Sequence, residues 1–300
     1  MWIVASDRFE PMTNTDNLGG RFTFPGTTLT VHRMGYGAMQ LAGPHVWGPP
    51  RDPEAAKAVL REAIAIGIDH FDSSDAYGPH VTNQLIRATL HPYPKNVVIV
   101  SKVGGRRGAD KSWLPAISPA EIRSDIQDNL RHLGLDAIDV VNLRMMSMTP
   151  TEGPLDKELA VLIELKREGL VRHIGLSNVT ARQVEQAQAL TEIVCVQNHY
   201  NLAHRGDDAL IDALAKQGIA YVPLFPLGGF TPLQSSTLSE VANELGATPM
   251  QVAIAWLLHR APNILLIPGT SSVAHLRENV AAASLVLPAK SIAALDGIAR

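Results

Sequence analysis

Short apolar runs alternate with amphipathic segments along most of the chain. Between the runs, apolar residues recur every three to four positions, which predicts helices. Short strands rich in β-branched residues, alternating with such helices, are typical of a parallel sheet covered by helices. Since the pattern repeats eight times without a break in composition, it predicts an α/β fold, a closed (β/α)8 TIM barrel. The predicted strands are residues 34–39, 66–71, 97–101, 137–143, 171–176, 193–197, 219–224 and 264–267.

The segment before the first barrel strand has a different pattern. Two short apolar stretches, 22–24 and 29–31, flank the turn sequence Pro-Gly-Thr-Thr, which predicts an N-terminal β-hairpin. Residues 1–20 are polar and carry no long apolar run, so we expect a flexible lead-in rather than a signal peptide. Residues 21–300 are then expected to form a single barrel domain.

Composition narrows the class of protein. Apolar residues make up 46% of the 300 positions, which is enough for a large core, and the net charge of -3 does not suggest binding to nucleic acid. The single cysteine, Cys195, lies inside an apolar strand and is expected to be a buried thiol. No apolar stretch reaches membrane-spanning length. We therefore expect a cytoplasmic protein without membrane or nucleic-acid partners.

Candidate chemistry is concentrated after the second and third predicted strands. Asp72 ends one strand, Tyr77 lies in the loop just beyond it, and Lys102 ends the next strand. A phenol has an unperturbed pKa of about 10, and a nearby ammonium lowers it, which makes tyrosine a usable acid near neutral pH. The alternatives are that Asp72 caps a helix and that Lys102 is a solvated strand end. The combination of the three residue types favours a proton-donating site.

Other strand ends are also polar, and in a barrel these ends form the active site. Ser177, Asn178 and Gln197 carry the hydroxyl and amide groups that suit a carboxamide, although Ser177 and Asn178 could instead cap the next helix. Residues 269–272 precede a helix, where backbone N–H groups and hydroxyls favour an anion such as phosphate; capping is again the alternative. His and Cys residues at zinc-ligand spacing are absent, so no metal site is predicted.

Taken together, the motifs resemble those of the aldo-keto reductases over residues 22–283. The resemblance rests on their order and spacing, since each motif alone is weak. The matching stretches are 70–78 (HFDSSDAYG), 100–102 (VSK), 133–139 (LGLDAID), 174–178 (IGLSN), 196–201 (VQNHYN), 267–271 (IPGTS) and 278–279 (EN).

The resemblance implies a barrel that binds NADPH, with NADH also possible, and reduces the carbonyl group of a small-molecule aldehyde or ketone. It implies that Tyr77 is the general acid, that Asp72 and Lys102 tune it, and that Ser177, Asn178 and Gln197 hold the nicotinamide carboxamide. Two further segments would bind the rest of the cofactor. The first consists of Leu224, Phe225, Pro226 and Leu227, and the second supplies Gly269, Thr270, Ser271, His275, Glu278 and Asn279.

The chain departs from the family pattern at three places. Arg144 stands where a histidine usually ends the fourth strand, and Leu224 stands where an aromatic residue often stacks on the nicotinamide. Gly269 and His275 stand where members that bind the 2′-phosphate often have lysine and arginine. An arginine can donate to a carbonyl oxygen but does not switch protonation.

Further runs look closest to the bacterial pyridoxal reductase branch: 35–44, 48–52, 142–144 and 226–230. On that resemblance the aldehyde would be pyridoxal, reduced to pyridoxine. Tyr36, Trp47 and Arg144 are then the expected walls of the substrate pocket, with Trp47 as a loop anchor the alternative. The sequence does not indicate an oligomeric state.

Three other hypotheses remain open from the sequence. The enzyme could be a generic aldehyde or ketone reductase of broad specificity. Lys102 could form a Schiff base in an aldolase-like barrel. The barrel could also be a non-catalytic nicotinamide-binding sensor, since a fold does not fix a function. The presence of Asp72, Tyr77 and Lys102 together favours reduction.

Overall fold

A computed structural model of the protein describes residues 18–229 and 233–299. Of the predicted lead-in, residues 1–17 lie outside the described residues, while Leu18 is buried and accepts a backbone hydrogen bond from Met34. The strands are β1 (Arg21–Thr23), β2 (Thr30–His32), β3 (Tyr36–Gly37), β4 (His70–Asp72), β5 (Val98–Arg107), β6 (Trp113–Ala116), β7 (Ile138–Arg144), β8 (Val171–Ser177), β9 (Ile193–Gln197) and β10 (Ala220–Tyr221).

Ten α-helices cover the strands or join them. They are α1 (Pro53–Ala65), α2 (Val81–Leu90), α3 (Pro119–Leu133), α4 (Asp156–Arg167), α5 (Ala181–Gln188), α6 (Asp208–Lys216), α7 (Ser236–Leu245), α8 (Pro249–Arg260), α9 (Val273–Ala281) and α10 (Ala289–Asp296), as counted over the described part of the chain. Helix α3 begins with a capping box, in which the Ser118 side chain accepts from Glu121 N and the Glu121 side chain accepts from Ser118 N.

The parallel strands form a ring in the order β3, β4, β5, β7, β8, β9, β10. The segment 264–266 closes it, since Ile264 bridges to Tyr221 of β10 and Leu266 bridges to Met34 just before β3. Backbone bonds of 2.9 Å (Leu265 N to Tyr221 O) and 2.7 Å (Gly35 N to Leu266 O) secure the closure. The predicted (β/α)8 barrel is confirmed.

Period-two alternation divides the side chains between two apolar regions. Val98, Val100 and Val140 belong to a core inside the ring, and Ile99 and Val141 to a larger core between strands and helices. The antiparallel pair β1–β2 confirms the predicted hairpin. It adds Phe24 and Val31 to the inner core, so it plugs one end of the ring and leaves the carboxyl ends of the strands open at the other.

Several strand bounds differ from the sequence prediction. The first and seventh barrel strands are shorter than predicted, with residues 38–41 in a 3-10 helix, and the eighth predicted strand forms only isolated bridges. Residues 66–67 belong to the turn that ends α1, where Gly67 has a left-handed φ of 93°, so the second barrel strand starts only at His70. Strand β5 also continues to Arg107 and pairs with β6, forming an antiparallel ribbon above the barrel mouth that the sequence did not predict. This ribbon supplies Trp113 to the candidate site.

Candidate active site

A buried ion pair lies at the open end of the barrel. Asp72 ends β4 and Lys102 lies on β5, and the Lys102 ammonium donates to the Asp72 carboxylate. Lys102 Nζ also donates to the Ser73 carbonyl at 3.0 Å, and Gln197 Nε2 donates to the second Asp72 oxygen at 3.1 Å. Asp72 caps no helix, because α2 begins after His80, and Lys102 is only 3% exposed. The capping and solvated-end alternatives are therefore excluded.

Tyr77 lies beside this pair, in the loop between β4 and α2. The Lys102 Nζ atom lies 5.5 Å from the centre of the Tyr77 ring, and the tyrosine is buried apart from the face that lines a cavity. Its hydroxyl forms no hydrogen bond with any residue in 18–229 or 233–299, so no direct bond joins it to Lys102. The Lys102 ammonium therefore lies beside the Tyr77 ring at the barrel mouth without a bond to its hydroxyl.

The loop around Tyr77 is fixed by backbone bonds to the preceding glycine-rich loop. Gly78 N donates to Val46 O at 3.2 Å and Gly48 N donates to Gly78 O at 3.0 Å, so Trp47 and Gly78 form a short parallel bridge. Trp47 thus acts in part as a loop anchor, and its ring lies 5.4 Å from the Arg107 guanidinium. This arrangement holds the phenol in one place without a bond to its hydroxyl.

A polar network behind the strands was not predicted. Ser73 Oγ donates to Asn83 at 2.6 Å, Asn83 donates to Asn129 at 2.9 Å, and Ser101 Oγ also donates to Asn129. Ser73 directly follows Asp72 in the chain, and Ser101 directly precedes Lys102. The network therefore ties the backbone beside both charged residues to α2 and α3.

This network reaches a histidine pair at the protein surface. Asp75 accepts from Asn83 at 3.1 Å, and its carboxylate lies 2.6 Å from His80 Nδ1 and 2.8 Å from His132 Nδ1. The hydrogen bond that His80 donates to the Asp75 carboxylate raises the pKa of His80. The sequence predicted no metal site, yet the fold brings three residues able to ligate a metal together within 4.8 Å. Asp75 and His80 lie in the loop between β4 and α2, whereas His132 lies in α3, so no local sequence spacing indicates the cluster.

Tyr77 and Lys102 open onto a cavity of about 400 Å³. Trp113 from the β5–β6 ribbon stands at the edge of the Tyr77 ring, with the ring centres 6.3 Å apart. Arg144 at the end of β7 is buried, and its guanidinium lies 5.3 Å from the Trp113 ring centre. The remaining wall is mostly apolar, formed by Met39, Met146, Met148, Leu224 and Phe225. Trp113, Met146 and Met148 were missed because no predicted strand ends at them; Met39 does end the first predicted strand, but Tyr36 was expected to line the pocket there.

Three polar groups on the opposite wall lack partners. Ser177 Oγ, Asn178 Oδ1 and Gln197 Oε1 are buried and form no hydrogen bond with a described residue. The alternative that Ser177 or Asn178 caps the next helix is excluded, because Thr180 caps α5. Asn178 is instead held in a left-handed conformation, with a φ of 58°, and its amide donates to Met145 O at 2.8 Å.

The three atoms indicate which kind of ligand this wall of the cavity could bind. Buried polar groups are rarely left without hydrogen bonds, so the three atoms await a ligand with both donors and an acceptor. A carboxamide offers two N–H donors and one oxygen, and the side chains offer two acceptors and one hydroxyl donor. The residues present therefore fit a nicotinamide carboxamide.

A groove of about 100 Å³ continues from the cavity. Leu224, Phe225, Pro226 and Leu227 line one side of it. The other side is backbone from Gly37 and Gly269, which approach so closely that a Cβ on Gly269 would lie 2.6 Å from the Gly37 oxygen. A lysine at position 269 is therefore excluded by space. Phe225 has a left-handed φ of 54°, and its ring packs over Gly229 and against His199.

The segment 269–279 is only partly free for an anion. Ser272 caps α9, and the Thr270 hydroxyl accepts from Ser272 N at 3.0 Å. Glu278 accepts from Thr248 Oγ1 at 2.7 Å, and Asn279 is buried. Ser271 and His275 are exposed, and so is Arg277, two residues beyond His275, which pairs with Glu62 at 2.7 Å.

Tyr36 does not reach the cavity, contrary to the expected substrate wall. It is fully buried between β3 and the helices, and its hydroxyl donates to Thr270 O at 2.6 Å. The neighbouring glycines occupy the positions that face inward, since a Cβ on Gly35 would meet His70 and one on Gly37 would meet Ile267 O. Because successive side chains of a strand alternate, Tyr36 points outward and anchors the Thr270 segment.

Cys195 is confirmed as a buried thiol. It lies inside the ring, where its sulfur donates to Asn142 Oδ1 at 3.2 Å. Burial raises its pKa to about 12, which leaves too little thiolate at neutral pH for nucleophilic chemistry.

Comparison with known proteins settles the family. The model of the aldo/keto reductase family matches residues 33–300. The chain belongs to this family. It is 65% identical over 281 residues to pyridoxine 4-dehydrogenase of Escherichia coli, which spans 93% of this chain and 98% of that protein. It is 36% identical over 269 residues to an uncharacterised oxidoreductase of Schizosaccharomyces pombe, with 89% of this chain and 87% of that protein covered.

Solved structures agree with the fold. The thermostable aldo-keto reductase Tm1743, in complex with the inhibitor epalrestat, superposes with a TM-score of 0.79 at 28% identity, over 93% of this chain and 99% of that one. An aldo-keto reductase from Klebsiella pneumoniae in complex with NADPH gives 0.73 at 25% identity, over 89% and 90%. The chain is thus an oxidoreductase of a family that uses a nicotinamide cofactor. Among the described helices, none has the length and apolar content needed to cross a membrane.

Proposed function

We propose that this protein reduces pyridoxal to pyridoxine with NADPH as the hydride donor. The observation that carries the proposal is the buried Asp72–Lys102 pair beside Tyr77, at the floor of a cavity whose far wall holds three unpartnered carboxamide-binding groups. The substrate is taken from the 65% identity to pyridoxine 4-dehydrogenase over nearly the whole of both chains.

Tyr77 is the general acid in this proposal. When bound, the nicotinamide supplies a hydride to the aldehyde carbon. The Tyr77 hydroxyl, which has no partner among the described residues, gives its proton to the carbonyl oxygen. Lys102 and Arg144 stabilise the negative charge that develops there, and Asp72 keeps the lysine in place. The oxygen would sit where the phenol and both cations face the same cavity.

Ser177, Asn178 and Gln197 would orient the nicotinamide through its carboxamide. Gln197 has a double role, because its amide nitrogen holds Asp72 and leaves its oxygen for the ligand. Leu224 would pack on the nicotinamide ring, and Pro226 and Leu227 would line the path outward. Gly269, Thr270, Ser271, His275, Glu278 and Asn279 would form the adenosine-phosphate end, with NADH accepted less well.

An aldolase-like role for Lys102 is disfavoured. A Schiff-base lysine must be free and neutral to attack a carbonyl, whereas this amine is committed to the Asp72 carboxylate and the Ser73 carbonyl. Borohydride should therefore fail to trap pyridoxal on Lys102.

The function is tested by following NADPH oxidation with pyridoxal, benzaldehyde and butyraldehyde at equal concentration. We expect the largest kcat/KM for pyridoxal. Similar values for all three would indicate a generic aldehyde reductase, and cofactor binding without turnover of any of them would indicate a sensor.

A further inference from the structure

Arg144 is a buried cation without a counter-ion. It is 7% exposed, and it forms no ion pair within the ranges 18–229 and 233–299. Within the part of the chain that the structure describes, its one hydrogen bond runs from Nη2 to the Gly105 carbonyl at 3.2 Å, and its buried Nε has no partner. A guanidinium has five N–H donors, and burial without acceptors carries a large desolvation penalty. Among the described residues, no carboxylate therefore pairs directly with Arg144 to offset this penalty.

The fold makes room for this cation. A Cβ on Gly105 would come within 2.9 Å of Arg144 Nη2, and one on Gly104 would come within 2.5 Å of the Arg144 backbone oxygen. Gly104 has a left-handed φ of 101°, so this part of β5 requires glycine. Burial lowers the pKa of Arg144, and the neighbouring Tyr77, Asp125 and Asp72 act on this pKa in the other direction. An arginine nevertheless stays charged at neutral pH.

Arg144 and Tyr77 face one cavity and share one flat wall. The Trp113 ring meets the Tyr77 ring edge-on at 6.3 Å and lies 5.3 Å from the Arg144 guanidinium. A planar aromatic molecule against Trp113 can therefore present one oxygen to the phenol and a second, neighbouring oxygen to the guanidinium. Two oxygens carried on adjacent ring carbons are close enough together to do this.

We propose that Arg144 binds an oxyanion on the ring carbon next to the aldehyde, and so selects ortho-hydroxy aromatic aldehydes. The inference rests on the proposed function for the identity of the natural aldehyde: pyridoxal carries a hydroxyl beside its aldehyde, and the ring nitrogen makes that hydroxyl acidic. The neighbouring anion pairs with Arg144, while the aldehyde oxygen faces Tyr77 and receives its proton.

The test uses aldehydes without the pyridine ring, so that it does not depend on pyridoxal. We would measure kcat/KM for salicylaldehyde, 4-hydroxybenzaldehyde, 2-methoxybenzaldehyde and benzaldehyde, at a pH where both phenols are ionised. We expect salicylaldehyde to exceed its para isomer by about 10- to 100-fold, the range of a charge-assisted hydrogen bond. The methoxy compound, which carries no charge, should behave like benzaldehyde.

Arg144→Met should bring the ratio of salicylaldehyde to its para isomer close to one, and Arg144→Lys should retain part of it. The ratio of the two kcat/KM values is informative because a general loss of activity lowers both values equally and cancels in the ratio. Arg107→Met is the matched control, because Arg107 also stacks on Trp113, at 4.3 Å, but donates to the carbonyls of Val46, His45 and Lys111. It should leave the ratio unchanged.

A further readout needs no variant. In the wild-type protein the ortho preference should disappear as the pH falls below the ionisation of the salicylaldehyde phenol. A preference that persists with the neutral phenol, or a ratio unchanged in Arg144→Met, would overturn the inference. A strong ortho preference together with no reduction of pyridoxal would support the inference and refute the proposed function.

Discussion

The Asp72–Lys102 pair gives the sharpest prediction on stability. The two side chains are 4% and 2% exposed, so neither charge is solvated by water. In Lys102→Met, Asp72 would keep only its bond from Gln197. Removing one partner of a buried pair costs about 3–5 kcal/mol of unfolding free energy, because the remaining charge is left uncompensated.

Asp72→Asn should be costly for the same reason, since Lys102 would keep only the Ser73 carbonyl among its present partners. The double variant Asp72→Asn/Lys102→Met removes both charges. We therefore expect its loss to be smaller than the sum of the single losses by at least about 2 kcal/mol, within the range found for residues in direct contact.

The measurement is urea unfolding of the wild type, both single variants and the double variant, with the free energies compared in a cycle. Losses that add within about 0.5 kcal/mol would refute the claim that the two charges depend on each other. A double variant that regains stability but not aldehyde reduction would further show that the pair serves chemistry rather than folding.

Other predictions concern α3 and the groove. Burial raises the pKa of Asp125 to about 6, so folding favours its protonated form. The resulting loss of unfolding free energy is absent below the unfolded value near 3.8, builds up between 3.8 and about 6, and is complete above that. Asp125→Asn should therefore stabilise the protein by about 1–2 kcal/mol at pH 7.5, after allowance for partial exposure, and change little at pH 3.5, as measured by urea unfolding. Gly269→Ala should lower stability by about 1–3 kcal/mol and weaken NADPH binding, because its Cβ meets the Gly37 backbone. Gly153→Ala, with open space around it, is the control and should change neither thermal unfolding nor cofactor titration.

Much of the site was predictable because a parallel barrel places the carboxyl ends of all its strands at one mouth. Asp72, Lys102, Arg144 and Gln197 each end or nearly end an apolar run, so locating the strands also located these side chains. Their shared cavity follows from barrel closure, which the repeating pattern itself indicated. Whether they carry out the proposed chemistry remains a prediction.

Other parts of the site depend on contacts between residues far apart in the chain, which no local sequence pattern indicates. Trp113 reaches the cavity on a ribbon held by pairing of β6 with β5, and its sequence lacks a run of alternating apolar residues. Asp75 and His132 are 57 positions apart and meet only after α2 and α3 have packed. The expectation that Tyr36 lines the substrate pocket was wrong for a more local reason. A shift of one residue along a strand reverses the face to which a side chain points.

The central claim is that Tyr77 donates the proton during aldehyde reduction. The most direct measurement compares Tyr77→Phe with the wild type in both NADPH binding, followed by fluorescence titration, and pyridoxal reduction. Loss of the phenol should lower kcat by about 100-fold or more, the contribution expected of a general acid, and leave the cofactor Kd within about twofold. Retention of reduction in Tyr77→Phe, or equal loss of binding and turnover, would contradict the account.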